Sequence, residues 1–189
     1  MGYFDEQVFT GVDFGKEEWQ KGEYVDSKFV NCRMSSLDLS GDTFDNCEFI
    51  GCDLSLCKID HTAFKEVDFK DCKLMGLHFS DCNAFLLTFR FTDCILDFSS
   101  FFKLKIKQSK FTNCKMEKVD FVEADLTGST FNNCDLAQAV FNRTILEKCD
   151  FRSSYNLALD PEDNRIKAAK FSTEGALGLL EKYNITIER

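Results

Sequence analysis

A bulky apolar residue recurs at every fifth position of this 189-residue chain, and this period excludes most fold classes. One series runs in steps of five from Phe9 to Phe89, and a second, displaced by two residues, runs from Leu96 to Phe151. An amphipathic helix repeats its apolar face about every 3.6 residues, and a half-buried strand about every two. A period of five fits neither pattern, so the sequence predicts a coil of short repeated units.

A longer period of twenty residues lies within the first, because every fourth central residue is Phe. Residues twenty apart would lie above one another, at the roughly 4.8 Å spacing of neighbouring strands. The pattern predicts a four-sided coil with twenty residues per turn, stabilised by contacts between successive turns. The predicted core ladder of this coil comprises Phe29, Phe49, Phe69, Phe89, Phe111, Phe131 and Phe151.

All ten cysteines occupy the same position of the repeat, two residues before a central residue. The other occupants of this position are mostly small, such as Val12, Ser27 and Ala124. No CxxC pair or Cys–His cluster with the spacing of metal ligands accompanies them. Because an unactivated cysteine behaves as a small hydrophobe, we interpret these cysteines as packing residues and expect neither a metal nor a cofactor.

The sequence contains no recognisable catalytic constellation. Its only histidines, His61 and His78, occupy positions predicted to face outward. Catalysis requires titratable groups that converge in a cleft. The aspartates that recur one residue before a central residue are better explained as the polar surface of the coil, so we expect a protein that is not an enzyme.

The sequence also lacks the marks of export or membrane insertion. It has no run of about eighteen apolar residues that could cross a bilayer. Its first thirty residues carry seven acidic side chains and no apolar stretch, unlike a secretory signal. These features predict a cytoplasmic protein.

Segments such as ADLTG at 124–128 and CDLS at 52–55 resemble the small–polar–Leu/Phe–polar motif of the pentapeptide-repeat family. The resemblance covers about residues 8–154 and implies an all-β fold, a right-handed quadrilateral parallel β-helix. We therefore assign residues 1–154 to this β-helix, with a register break near 84–94. Residues 155–189 are assigned to a C-terminal capping and dimerisation segment with a short helix.

Two further stretches, 150–187 and 83–96, resemble the microcin immunity and quinolone-resistance (Qnr) members of the family. That resemblance implies a homodimer that engages DNA gyrase, and some such proteins protect gyrase from poisons that trap its cleavage complex. Immunity or antibiotic resistance would then be the biological role. The alternative is a structural or adaptor solenoid that binds another protein.

The register break crowds several apolar residues into one stretch. Phe85, Leu86, Leu87 and Phe91 lie between Cys82 and Cys94, and not all of them can point inward if the repeat is kept. A bulge must therefore form here. Its apolar residues either contact a partner or pack against the neighbouring corner.

The C-terminal segment predicts a short helix over 172–183, followed by a strand-like stretch at 184–187. Leu177, Leu180 and Tyr183 would share one face of the helix. This face either covers the open end of the coil or forms a two-fold interface between two chains.

Acidic residues are concentrated in the first half of the chain. Residues 1–90 contain 17 acidic and 9 basic side chains, whereas 91–154 contain 9 of each. An acidic rod can imitate the field of duplex DNA and compete for a basic DNA-binding surface. The alternative is that the acidity only aids solubility. With a net charge of −9, the protein is not expected to bind nucleic acid directly.

Overall fold

The computed structural model describes residues 2–85 and 87–188, which form a parallel β-solenoid. Its strands in chain order are β1 (Gly2–Asp5), β2 (Val8–Thr10), β3 (Gly22–Val25), β4 (Lys28–Val30), β5 (Thr43–Asp45), β6 (Glu48–Ile50), β7 (Ala63–Lys65), β8 (Val67–Lys70), β9 (Phe89–Thr92), β10 (Lys110–Thr112) and β11 (Thr130–Asn132). The helical elements are a 3-10 helix at Phe79–Asp81, α1 at Thr173–Leu177 and a second 3-10 helix at Glu181–Tyr183.

The strands form two parallel sheets. One has the order β1-β3-β5-β7, and the other has the order β11-β10-β9-β8-β6-β4-β2. The other two sides are held by isolated parallel bridges twenty residues apart, such as Asp13 with Arg33 and Asp38 with Lys58. The predicted parallel β-helix with a twenty-residue turn is thus confirmed.

The central residues form four inward columns, which we name sides A to D in chain order. Side A begins with Phe4 and Tyr24, side B with Phe9 and Phe29, side C with Phe14 and Met34, and side D with Trp19 and Leu39. On side B the rings of successive coils stack, as for Phe29 and Phe49, whose centroids lie 4.6 Å apart. Burying each such ring contributes roughly 1.5–3 kcal/mol relative to exposure.

At most corners the chain turns at the residue that lies two positions after a central residue. Here the backbone adopts positive φ, for example 53° at Asn31, 52° at Asn46 and 52° at Asp71. This conformation costs most L-residues roughly 1–2 kcal/mol, whereas Gly, Asn and Asp tolerate it. These left-handed corners turn the chain from one side of the solenoid to the next.

The core ladder differs from the prediction at one point. Phe91, and not Phe89, lies above Phe69, with ring centroids 5.4 Å apart. Phe89 pairs with Val67 and occupies the position that is elsewhere small. The assignment of Phe89 to the ladder was therefore wrong, because the two extra residues enter before Phe89 and not after it.

Phe89 has a clear packing role at this break. Ala84 is exposed, so the chain has left the wall of the coil where an inward side chain was expected. The Phe89 ring is buried, and its centroid lies 5.6 Å from that of Phe64 and 5.1 Å from that of Phe79. A large side chain at a normally small position thus fills the missing volume.

The coil also continues beyond the predicted boundary at residue 154. Parallel bridges join Ile145 to Arg165 and Asp150 to Lys170. Phe171 stacks on Phe151 with centroids 5.5 Å apart. The repeat therefore extends to about residue 171, and the sequence concealed it because Asn156 follows Phe151 where an apolar residue was expected.

The effects of Phe91→Ala and Phe85→Ala on stability should differ, because Phe91 is buried and Phe85 is exposed. We expect Phe91→Ala to lower the free energy of unfolding by about 3–5 kcal/mol, because it leaves a core cavity. Phe85→Ala should change it by less than about 0.5 kcal/mol, as for most surface positions. Urea denaturation followed by circular dichroism measures both, and equal losses would contradict this register.

Candidate interaction surfaces

The register break presents one prominent apolar side chain. Phe85 is 69% exposed, and its amide donates a hydrogen bond to Asn83 Oδ1 at 3.0 Å. Leu87 is half-buried and pairs with Lys65 in an antiparallel bridge. Phe91 is fully buried, so its assignment as a partner contact was wrong. Leu86, the fourth residue of that prediction, lies outside the described residues.

The C-terminal segment crosses the end of the coil with less helix than predicted. The Gly175 N–H donates to Ser172 Oγ at 2.9 Å and caps α1, which ends at Leu177 instead of continuing to 183. A Cβ at Gly178 would lie 1.9 Å from the Leu157 carbonyl oxygen, so the chain passes too close to the coil for any other residue. Residues 184–187 form no strand with another described segment.

The three predicted interface residues all retain exposed surface on this segment. Leu177 is 40% exposed, Leu180 is 37% exposed and Tyr183 is 51% exposed, whereas Leu179 packs against the core. The Lys182 ammonium anchors the segment by ion pairs of 2.7 Å with Asp160 and Glu162. The segment therefore covers the coil and still presents apolar side chains outward.

Many surface charges are compensated by the neighbouring coil. On side C, Asp13, Arg33, Asp53 and Lys73 alternate in sign along one ladder. On side B, Lys28 and Glu48 form an ion pair of 2.9 Å, and Arg90 pairs with Asp68. The first half of the rod is therefore not uniformly acidic.

One edge of the rod carries acidic side chains that are largely uncompensated. The corner between sides A and B carries five carboxylates in the first half of the rod, which we call the acidic edge: Asp5, Glu6, Asp26, Asp45 and Glu66. Lys65 is the one basic residue at these positions, and it pairs with Asp45 at 3.3 Å. Four net negative charges over three coil rises of roughly 4.8 Å each give about one charge per 3.6 Å. A single DNA strand carries about one per 3.4 Å of axis.

The acidic half of the rod is evident from the sequence, but this edge is not. Glu6, Asp26 and Glu66 all lie two positions after a central residue of side A and share positive φ, at 51°, 48° and 52°. Comparison of this position at intervals of twenty residues would have revealed the edge.

The ten cysteines are all buried and free. Each lies beneath a neighbouring coil, and several thiols donate to its carbonyl oxygens, as Cys52 Sγ does to Phe29 at 3.2 Å. The Thr62 and Thr144 hydroxyls make the same bond at 2.8 Å. Burial raises the pKa of Cys47 to about 11 and that of Cys57 to about 12, whereas hydrogen bonds from the neighbouring thiols of Cys72 and Cys114 lower the pKa of Cys52 and of Cys134. Because all ten thiols are buried, the position selects a small packing side chain.

No metal-binding cluster is present in the described part of the chain. His61 lies at an exposed corner of side D, and His78 lies at an exposed position on the same side one coil later. Across residues 2–85 and 87–188, no group of three or more His, Cys, Asp or Glu side chains could hold a metal ion. The surfaces that remain as candidate sites are the acidic edge, the C-terminal segment and the exposed stretch at 83–85, which we call the Phe85 loop.

Comparison with known proteins agrees with the repeat seen here. A sequence model described as a pentapeptide repeat region matches residues 86–157. This segment of the chain therefore carries a pentapeptide repeat. A search of curated proteins finds no significant match to it.

Solved structures of QnrB1, described as a plasmid-mediated fluoroquinolone resistance protein, are similar in fold to this chain. One trypsin-treated variant of QnrB1 has a TM-score of 0.63 at 18% identity, with 99% of this chain and 100% of that chain covered. Full-length QnrB1 has a TM-score of 0.55 at 18% identity, with 97% and 100% covered. At this identity the likeness shows a shared fold.

Among the described residues, no helix is long and apolar enough to cross a membrane.

The cysteines of the folded protein should resist alkylation. At pH 8 we expect iodoacetamide to label almost none of the ten thiols, because all of them are buried and the reagent cannot reach them, whatever their pKa. In denaturant all ten should react, since an unfolded thiol has a pKa of about 8.5. Mass spectrometry counts the labels. Rapid labelling of the native protein would contradict the packing role.

Proposed function

We propose that this chain is a non-enzymatic, cytoplasmic pentapeptide-repeat protein that binds DNA gyrase or a related type II topoisomerase. The observation that supports it most directly is the acidic edge, whose linear charge density is close to that of a DNA strand. The QnrB1-like fold and the resemblance of residues 83–96 and 150–187 to Qnr and immunity proteins point to the same partner.

The acidic edge suits a competitor of DNA. Three of its carboxylates lie at exposed corners with a backbone fixed by the hydrogen bonds between coils, so their spacing does not depend on flexible loops. A basic DNA-binding surface would attract such an edge over about a Debye length, roughly 8 Å at physiological salt. Bound there, the protein would exclude DNA, or protect the enzyme from a drug or toxin that requires the DNA complex.

A homodimer through the C-terminal segment belongs to the same proposal. Leu177, Leu180 and Tyr183 are exposed at one end of the rod. A two-fold axis at this end would bury them in a self-complementary interface and place two acidic edges in one assembly. The Phe85 loop would then be a second contact with the enzyme on each protomer.

The second candidate function is a structural or adaptor solenoid for a different protein. The charge ladders favour it, because on sides B and C acids and bases compensate each other and leave no DNA-like field. Such a partner would not require an acidic surface.

Removal of charge from the acidic edge should weaken gyrase binding. We expect Asp26→Asn with Glu66→Gln to raise the Kd about fivefold or more at low salt, and less at high salt, since the lost attraction is electrostatic. Asp71→Asn with Asp93→Asn is the matched control, because these carboxylates occupy the same corner position on side B. Gyrase binding, supercoiling and drug-induced cleavage are measured with each protein.

Two results would contradict this proposal. If micromolar wild-type protein neither binds gyrase nor changes its supercoiling, the topoisomerase is not the partner. If both charge variants weaken binding equally, general acidity and not the acidic edge is responsible.

Leu180→Asp should disrupt the dimer. A charge at a buried apolar interface is strongly unfavourable, so sedimentation should show a dimer for the wild type and a monomer for this variant. Val140→Asp is the control, because Val140 is a comparably exposed apolar residue on side D at 47%. An unchanged mass for Leu180→Asp beside a dimeric wild type would locate the interface elsewhere.

A further inference from the structure

Two corners of the solenoid carry bulky apolar residues in a backbone conformation that disfavours them. Leu56 and Phe98 have φ of 59° and 62°, and they are 65% and 51% exposed. The other left-handed corners of the described coils are occupied by polar residues, glycine or alanine. A bulky residue at positive φ is an outlier, and such strain tends to persist where a function requires it. Neither side chain is needed to fill the core.

The two residues belong to one continuous surface between sides C and D. Gly76 lies between them in the same corner column, and a Cβ placed there would come within 2.8 Å of Leu56 Cδ2. Leu56 therefore leans over Gly76 toward the coil that carries Phe98. Met75 and Ile95 are half-buried on side C beside this column. We call Leu56, Met75, Ile95 and Phe98 the apolar corner patch.

Lysines surround this patch. Ile95 lies between Lys73 and Lys115 in one bridge ladder, and the Lys118 ammonium lies 5.3 Å from the centroid of the Phe98 ring. Within the described chain, no carboxylate forms an ion pair with Lys73 or Lys115.

Two of the nearby acids are engaged elsewhere. Asp97 accepts a hydrogen bond from the Glu117 amide at 2.9 Å, and the Glu117 carboxylate pairs with Lys118 at 3.3 Å. Asp53 and Asp135 neighbour Lys73 and Lys115 in the ladder without forming an ion pair with them, so both exposed lysines are free to pair with an acidic partner.

We infer that the apolar corner patch is a further contact with the topoisomerase, beyond the acidic edge and the Phe85 loop, and binds a segment that carries apolar side chains flanked by carboxylates. This inference rests on the proposed function. Exposed apolar groups beside unpaired positive charges are complementary to such a segment in both shape and charge. The patch lies at the corner diagonally opposite the acidic edge. One flat basic surface cannot contact both. The enzyme must therefore contribute a basic surface for the acidic edge and a separate apolar, acidic segment for the patch.

The test compares wild type and variants for binding to purified gyrase holoenzyme. We expect Leu56→Asn with Phe98→Asn to raise the Kd about tenfold or more, as for loss of a central apolar contact. Lys73→Gln with Lys115→Gln should raise it about threefold and reduce its dependence on salt. Gln108→Asn with Gln138→Asn is the matched control, since both glutamines are left-handed corners outside the patch. The control should stay within about twofold of wild type.

The melting temperature gives an independent readout. Asn tolerates positive φ better than Leu or Phe, so Leu56→Asn with Phe98→Asn should raise Tm by roughly 2–4 °C while binding is lost. A fall in Tm would show that the two side chains support the fold, and would overturn the inference.

The binding results separate the two proposals. If wild type binds gyrase and the patch variants bind equally well, the patch is not a contact, although the proposed function stands. If wild type does not bind at all, the proposed function fails, and this assignment fails with it. If only the acidic-edge variants lose binding, the enzyme contacts one edge alone and the inference is wrong.

Discussion

The hydrogen bonds between successive coils are the constraint on which the rest of this structure depends. In each coil the central amide donates to the coil above, as Met34 does to the Asp53 carbonyl at 2.8 Å, and the preceding amide donates to the coil below, as Arg33 does to Val12 at 2.8 Å. This pattern holds residues twenty apart in register. Each side chain therefore has the same neighbours above and below, and one choice of residue type is repeated along a whole column.

This register also organises the surface. Acids and bases alternate where they lie within one ladder, because like charges one coil apart would repel each other. Departures from that alternation are therefore informative. The acidic edge leaves its charges largely uncompensated, and the apolar corner patch places large side chains where the backbone favours Asn or Gly. These two corners lie diagonally opposite each other, and both are available for contacts that the coil itself does not need.

The register break shows how the coil tolerates an insertion. The chain bulges outward near Phe85, and the buried Phe89 ring replaces the side chain that the column has lost. The columns resume at Phe91, which stacks on Phe111 with ring centroids 5.3 Å apart. An exposed loop can therefore be added to one corner without interruption of the core, and this provides a local site for variation in binding.

The sequence alone determined the four-sided coil, its twenty-residue turn and the packing role of the cysteines, because stacking makes each column of the core visible as a period. It did not determine which of Phe89 and Phe91 continues the ladder, since both are Phe and only the volume lost at Ala84 distinguishes them. The last coil was concealed for a similar reason, because Leu157 and Leu159 fill the space that Asn156 leaves. The grouping of surface residues depended most on the tertiary structure. Whether Glu6, Asp26 and Glu66 act together, or Leu56 leans toward Phe98, depends on which corner each coil presents and on the space beside Gly76.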